Sequence, residues 1–189
     1  MKAYLDSNSE NYLHPSSRSV VKNALILLFF LCICSTLLQA QDHQMERVAI
    51  HKMLDEWNLA AAQANYQAYF DGFAEDGVFT GTDATERWDK QAFMVWAKPY
   101  FDRGKAWNFK ALERHISFSP RGDFAWFDEL LDTQMKICRG SGVLAREGDR
   151  WKIKQYILST TIPNEKIDSV ISIKAGIEEE LIRQLKMKK

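Results

Sequence analysis

Few residues of this chain carry the right chemistry in the right pattern. Glu129 stands in the strand-like run Ala125-Trp-Phe-Asp-Glu-Leu-Leu-Asp132. Period-two alternation puts Ala125, Phe127, Glu129 and Leu131 on one face and Trp126, Asp128, Leu130 and Asp132 on the other. Two carboxylates beside large apolar groups suit a partly solvated outer or dimer face for the second set. A carboxyl group buried among apolar side chains has its pKa raised, which suits general acid–base work. His115, in Glu113-Arg-His-Ile-Ser117, shares a face with Glu113 and Ser117 and is the second candidate acid–base group. A lone strand histidine is more commonly solvated than catalytic. His43 and His51 have no metal-ligand spacing with each other or with a carboxylate pair, so no metal site and no cofactor are expected.

The other conspicuous set is aromatic: Trp57, Tyr66, Phe70, Phe79, Trp88, Trp96, Tyr100, Phe127 and Tyr156. Most of these should be core. Trp57, Trp88 and Trp96 in particular could line a flat apolar ligand site, with indole N–H groups as donors. Cys138 is the one cysteine downstream of residue 40 and reads as a buried inert thiol.

These residues need elements to hold them. Val48, Ile50, Met53, Leu54, Trp57, Ala60 and Ala61 recur at helical spacing, and Asn65-Tyr66 ends that stripe. A short helix carrying Tyr66, Tyr69, Phe70 and Phe73 follows, then a strand at Val78-Phe79-Thr80. Asp89 is placed to cap a third helix with Phe93, Trp96, Ala97 and Tyr100, which Pro99 should kink or divide. Beyond it, strands are predicted over 107–119 and 124–137, joined by the turn Pro120-Arg-Gly-Asp123. A last hairpin spans Gly142–Ser159 around Glu147-Gly148-Asp149-Arg150. Uninterrupted alternation in its second strand sets Trp151, Ile153, Gln155, Ile157 and Ser159 on one face, with Lys152, Lys154, Tyr156 and Leu158 opposite. Residues 165–186 read as a C-terminal helix. Helices first and a strand meander afterwards make an α+β domain.

At the N-terminal end, residues 23–38 carry no charge and follow Arg18 and Lys22, and Leu38-Gln39-Ala40 places a small residue where cleavage needs one. The apolar run is shorter than a membrane span of about twenty residues. The expectation is a signal peptide over 1–40, a periplasmic or secreted protein, and no membrane contact in the processed form. The whole chain has 25 basic and 25 acidic residues. Losing Lys2, Arg18 and Lys22 against Asp6 and Glu10 leaves 22 and 23, net −1. No basic surface stands out, so nucleic acid is not an expected partner.

Four segments carry a family resemblance: Phe79-Thr-Gly-Thr-Asp83 with Glu86-Arg-Trp88, Ala125-Trp-Phe-Asp-Glu129, Arg139-Gly-Ser-Gly-Val-Leu144, and Trp151 to Pro163. In this order, over about 44–164, they resemble the SnoaL-like branch of the nuclear transport factor two-like superfamily. The resemblance implies a cone, a curved antiparallel sheet wrapped around the N-terminal helices, here with a C-terminal helix added. It divides the chain into a signal peptide (1–40), the SnoaL-like domain (41–164) and a helical extension (165–189). By analogy with kinase association domains of that superfamily, Glu129 faces into the cone. Arg139 and Arg87 lie in matching segments and are its candidate partners. Many relatives carry histidines on the inward face of the last strand, where alternation puts Gln155 and Ile157 in this chain. That departure favours binding over acid–base catalysis.

The expected function is therefore an exported protein holding a small amphipathic organic ligand. The site would use Trp57, Tyr66, Phe70, Phe79, Trp88, Trp96, Tyr100, Phe127, Arg139 and Gln155. The alternatives are an isomerase, cyclase or dehydratase with Glu129 as base and His115 as a second group, and an assembly domain without ligand. A homodimer is expected through an outer sheet face bearing Trp126, Leu130, Tyr156 and Leu158.

Overall fold

A computed structural model describes residues 22–23 and 43–188. The expected cleavage segment, Lys22 and Asn23 apart, lies outside the described residues. The chain divides into two compact units, Met1–Met45 and Glu46–Lys189, and the whole sheet lies in the second.

Helix α1 covers 43–62 and turns Ile50, Leu54, Trp57 and Ala61 into the core. Helix α2, Tyr66–Asp71, starts where the Asn65 side chain accepts from the Ala68 N–H, and it buries Tyr69 and Phe70. Strands β1 (Phe73–Thr80) and β2 (Arg87–Asp89) follow. Asp89 caps α3, Lys90–Asp102, accepting from the Ala92 N–H at 2.8 Å. Of the expected kink or division at Pro99, the division does not occur: the helix runs through that residue as one element.

Four long strands complete the sheet: β3 (Lys110–Phe118), β4 (Phe124–Thr133), β5 (Lys136–Glu147) and β6 (Arg150–Thr160). The single strand expected over 124–137 is two. It breaks at Gln134-Met135, where Lys136 takes φ 69° and the Thr133 hydroxyl meets the Met135 N–H and the Lys136 carbonyl. The sheet order is β2-β1-β6-β5-β4-β3. All neighbours are antiparallel except β1 and β6. The sheet curves without closing, and its concave face receives the aromatic side chains of α1, α2 and α3. After a one-turn helix, Asn164–Lys166, helix α4 runs over Ile167–Met187 and buries no residue.

Two register details position the site. In β4 the residues of the Glu129 set are buried while Phe124, Trp126, Asp128 and Asp132 are exposed, so Glu129 faces inward. In β6, Ile153 pairs with Leu144 and Gln155 with Val143, leaving Lys154 as an extra residue. A bulge of this kind flips the facing of everything beyond it. Trp151 and Ile153 face inward as expected, but from there on Tyr156 and Leu158 are buried and Gln155 is exposed. The sequence expectation for Gln155, Tyr156, Ile157 and Leu158 is thus reversed.

Candidate functional site

On the inward face of β4, Glu129 is 1% exposed. It faces inward because β4 alternates, and it has room because Gly140 lies directly opposite on β5. A Cβ at Gly140 would fall well inside contact distance of Tyr156 Oη and 2.9 Å from Glu129 Oε1. The missing side chain lets Tyr156 Oη donate to Glu129 Oε1 at 3.1 Å. Arg114 Nε donates to the other carboxylate oxygen at 2.8 Å. The same guanidinium donates from Nη1 to the His51 carbonyl at 3.2 Å. Its Nη2 lies 3.0 Å from the Asp55 carboxylate, whose side chain reaches solvent on α1.

Burial pushes the Glu129 carboxyl up, opposed by the Arg114 charge and by the hydrogen bonds from Arg114 and Tyr156. Burial, then the Glu129 charge, pushes the Tyr156 hydroxyl well up. Burial and then Arg114 hold His51 below its ordinary value. The cluster is a buried ion pair with both carboxylate oxygens engaged, a state that costs desolvation and holds only while its partners stay in place.

An aromatic layer covers this cluster. Trp57 stacks on Tyr69 at 4.9 Å and meets Tyr156 edge-on at 4.8 Å. The indole N–H of Trp57 and the side-chain amide of Asn58 are buried without a hydrogen-bond partner among the described residues. The Tyr69 hydroxyl, pushed well up by burial, is likewise buried without a hydrogen-bond partner among the described residues.

Phe79 lies 5.7 Å from Tyr156, and its other side forms the wall of a cavity of about 170 Å³ at the cone mouth. Phe93, Trp88, Trp96, Trp107, Phe109, Met135 and Leu158 complete its apolar side-chain lining, and Thr82, Glu86 and Gln134 supply polar groups. The rings are layered: Phe79 on Phe93 at 4.1 Å and Trp88 on Trp96 at 4.8 Å. A larger groove, about 600 Å³, runs between α1 and the β5–β6 turn. It is lined by charges of both signs (Lys52, Glu56, Asp71, Asp149 and Arg150) and shares no residue with the mouth.

The sequence-selected residues therefore separate into groups. Phe79, Trp88 and Trp96 meet at the mouth, with Tyr100 at its rim 5.0 Å from Trp96. Phe70 and Phe127 are core, and Trp57, also buried, lines the larger groove instead. Half-buried Tyr66 donates to the Met94 carbonyl at 3.1 Å. His115 is exposed on the outer face, 2.7 Å from Glu113, so the structure does not bring it to Glu129. Arg139 is exposed, as is Arg87, and the cation on Glu129 is Arg114 instead. Gln155 is exposed on the outer face. Sequence reasoning missed Arg114, Tyr156, Phe93 and Trp107. The signal for Arg114 was present, since alternation sets it on the face of Ile116, opposite His115. Among the described residues, no group of three His, Cys, Asp or Glu side chains is placed to hold a metal ion.

The sequence profile of the SnoaL-like domain family matches residues 50–163, which is well over half of the chain. The chain belongs to the SnoaL-like domain family. No curated protein matches it. Among solved structures, this SnoaL-like chain is similar to a nuclear transport factor two-like protein of unknown function from Pseudomonas putida KT2440 (TM-score 0.54, 15% identity, 65% of this chain and 92% of that one). It is also similar to a nuclear transport factor two-like protein from Cytophaga hutchinsonii (TM-score 0.51, 13% identity, 61% and 98%). A third is a candidate scytalone dehydratase from Novosphingobium aromaticivorans (TM-score 0.53, 15% identity, 64% and 87%). At these identities the likeness establishes the fold, and the SnoaL-like fold hosts more than one chemistry.

Proposed function

We propose that this SnoaL-like domain binds a small amphipathic organic molecule at the cone mouth. The ligand's flat apolar part would lie against Trp88, Trp96 and Phe79, and its polar group would face Thr82, Glu86 or Gln134. The supporting observation is the layered aromatic wall around a cavity with few polar groups. A volume near 170 Å³ suits a ligand of about one ring, since a cavity of about 150 Å³ accepts benzene. Tyr100 would extend the wall toward larger ligands. Export through the segment over 1–40 and self-association belong to the same reading. The outer-face dimer keeps Trp126 and Leu130 but loses Tyr156 and Leu158, which face the core.

The test is a titration of the purified protein with single-ring phenols and aromatic acids, read by tryptophan fluorescence and by melting temperature. Saturable binding that falls at least about tenfold in Trp96→Ala, with the melting temperature of the free variant unchanged, is the expected result. Binding that survives Trp96→Ala and Trp88→Ala together places the ligand elsewhere.

A second reading, acid–base catalysis by Glu129, draws on the raised carboxyl pKa and the Tyr156 hydrogen bond and on the dehydratase description of one similar structure. Against it, Arg114 and Tyr156 already occupy both carboxylate oxygens. Turnover of a bound ring compound that disappears in Glu129→Gln, with binding retained, would favour this reading over simple binding.

A further inference from the structure

The mouth cavity has a sign. Twelve residues line it; six are aromatic and a single one, Glu86, is ionisable. The groove between α1 and the β5–β6 turn, by contrast, carries charges of both signs. Arg87 and Lys136 each follow a lining residue in the chain, but both are exposed and neither lines the mouth. At the rim, Arg103 lies over the Tyr100 ring at 4.9 Å, so one face of that ring already holds a cation.

The Glu86 carboxylate is held in place by its own turn. The Gly81 N–H donates to the Glu86 carbonyl at 2.9 Å, and the Glu86 N–H donates to the Asp83 carbonyl at 3.0 Å. Glu86 Oε2 accepts from the Asp83 N–H at 3.2 Å. The carboxylate folds onto Gly81, itself a lining residue, where any Cβ would collide with it. Among the described residues no cation pairs with Glu86. A half-buried carboxylate thus stands beside indole faces with its charge unmatched. Such a charge is screened less by salt than a fully exposed one.

From the sign of this lining we infer that the mouth takes a one-ring organic cation, an arylalkylamine in its ammonium form. The inference rests on the mouth being the binding site and names the class of ligand. The ring lies against the Trp88–Trp96 layer. The ammonium group takes Glu86 Oε1, with the Thr82 hydroxyl as a second acceptor. The negative faces of the indoles attract the same charge. A neutral ring compound forgoes both attractions. An aromatic carboxylate meets Glu86 with no lining cation to offset it.

Three probes sharing one ring test this near neutrality: benzylammonium, benzyl alcohol and benzoate, titrated by tryptophan fluorescence and by calorimetry. Benzylammonium should bind at least about fivefold tighter than benzyl alcohol, and benzoate should bind weakest. Glu86→Gln removes the charge and keeps an acceptor for the Asp83 N–H. It should weaken benzylammonium about three- to fivefold, leave benzyl alcohol within about twofold, and strengthen benzoate. Opposite changes for two ligands are the signature of charge, because a damaged fold would weaken all three. Benzyl alcohol or benzoate binding as tightly as benzylammonium would overturn the inference, as would a cation preference that Glu86→Gln leaves intact. In both cases, saturable binding that Trp96→Ala abolishes would leave the mouth standing as the site. Benzylammonium binding that survives Trp96→Ala and Trp88→Ala together would overturn the site and the ligand class alike.

Discussion

Helices α1 and α4 start from similar sequence patterns and end in opposite circumstances. Both carry an apolar stripe at helical spacing. On α1 that stripe is buried, with Ile50, Leu54 and Ala61 fully covered and Trp57 nearly so. On α4 no residue is buried. The difference lies in what each helix meets. Helix α1 crosses the concave face, where Trp57 finds Tyr69 and Tyr156 and the backbone of His51 finds Arg114. Helix α4 follows the last strand, past the end of the sheet, and meets a loop. An amphipathic pattern says that a helix has a face to cover; the fold decides whether the same chain covers it.

Paired truncations put this contrast at its sharpest. Trp57→Ala should cost about 3–5 kcal/mol in urea unfolding, the usual range for a large buried aromatic. Ile171→Ala, at an exposed position of α4, should stay within about 0.5 kcal/mol of the wild type. Equal losses would abolish the distinction between the two helices.

The buried ion pair comes next. Arg114→Met leaves Glu129 without its cation and should cost about 3–5 kcal/mol. Gly140→Ala attacks the same cluster by crowding Tyr156 and Glu129, with an expected loss of about 1–3 kcal/mol. No single α4 substitution should approach either value, since that helix buries no residue.

Tyr156→Phe removes one hydrogen bond to Glu129 and should cost about 0.5–1.5 kcal/mol near neutrality. Its larger signature is in alkali. Burial holds the Tyr69 and Tyr156 hydroxyls well above the ordinary value of 10.0. The folded chain therefore keeps protons there that the unfolded chain releases. Stability from this source is intact below pH 10.0 and is lost progressively as pH rises beyond it. Denaturation curves at rising pH should fall more steeply for the wild type than for Tyr156→Phe.

Removal of α4 should also have a small effect. Deleting 166–189 should lower the melting temperature by only a few degrees, since a loss of about 1 kcal/mol shifts a domain of this size by roughly 2–8 °C. Binding at the mouth should stay within a few-fold. A large drop in affinity at unchanged stability would make α4 a lid over the mouth instead.

Much of this architecture is legible in the chain itself. Turn chemistry marks the β5–β6 hairpin, Asp89 marks the start of α3, and alternation with the family resemblance sets Glu129 inward. Those features are local, depending on a residue and its near neighbours along one element. Three decisive features are not local. Lys154 becomes a bulge only because β6 must pair with β5 on one side and β1 on the other, and that extra residue exchanges Gln155 for Tyr156 in the core. Arg114 meets Glu129 because the β3–β4 register, itself shifted between Ala111 and Glu113, sets them side by side. Trp88, Trp96 and Trp107 reach one mouth from β2, α3 and the loop before β3. Pattern along the sequence determined which residues share a face. Strand pairing and helix docking decided which faces meet, because hydrogen-bonded register and burial are settled between segments far apart in the chain.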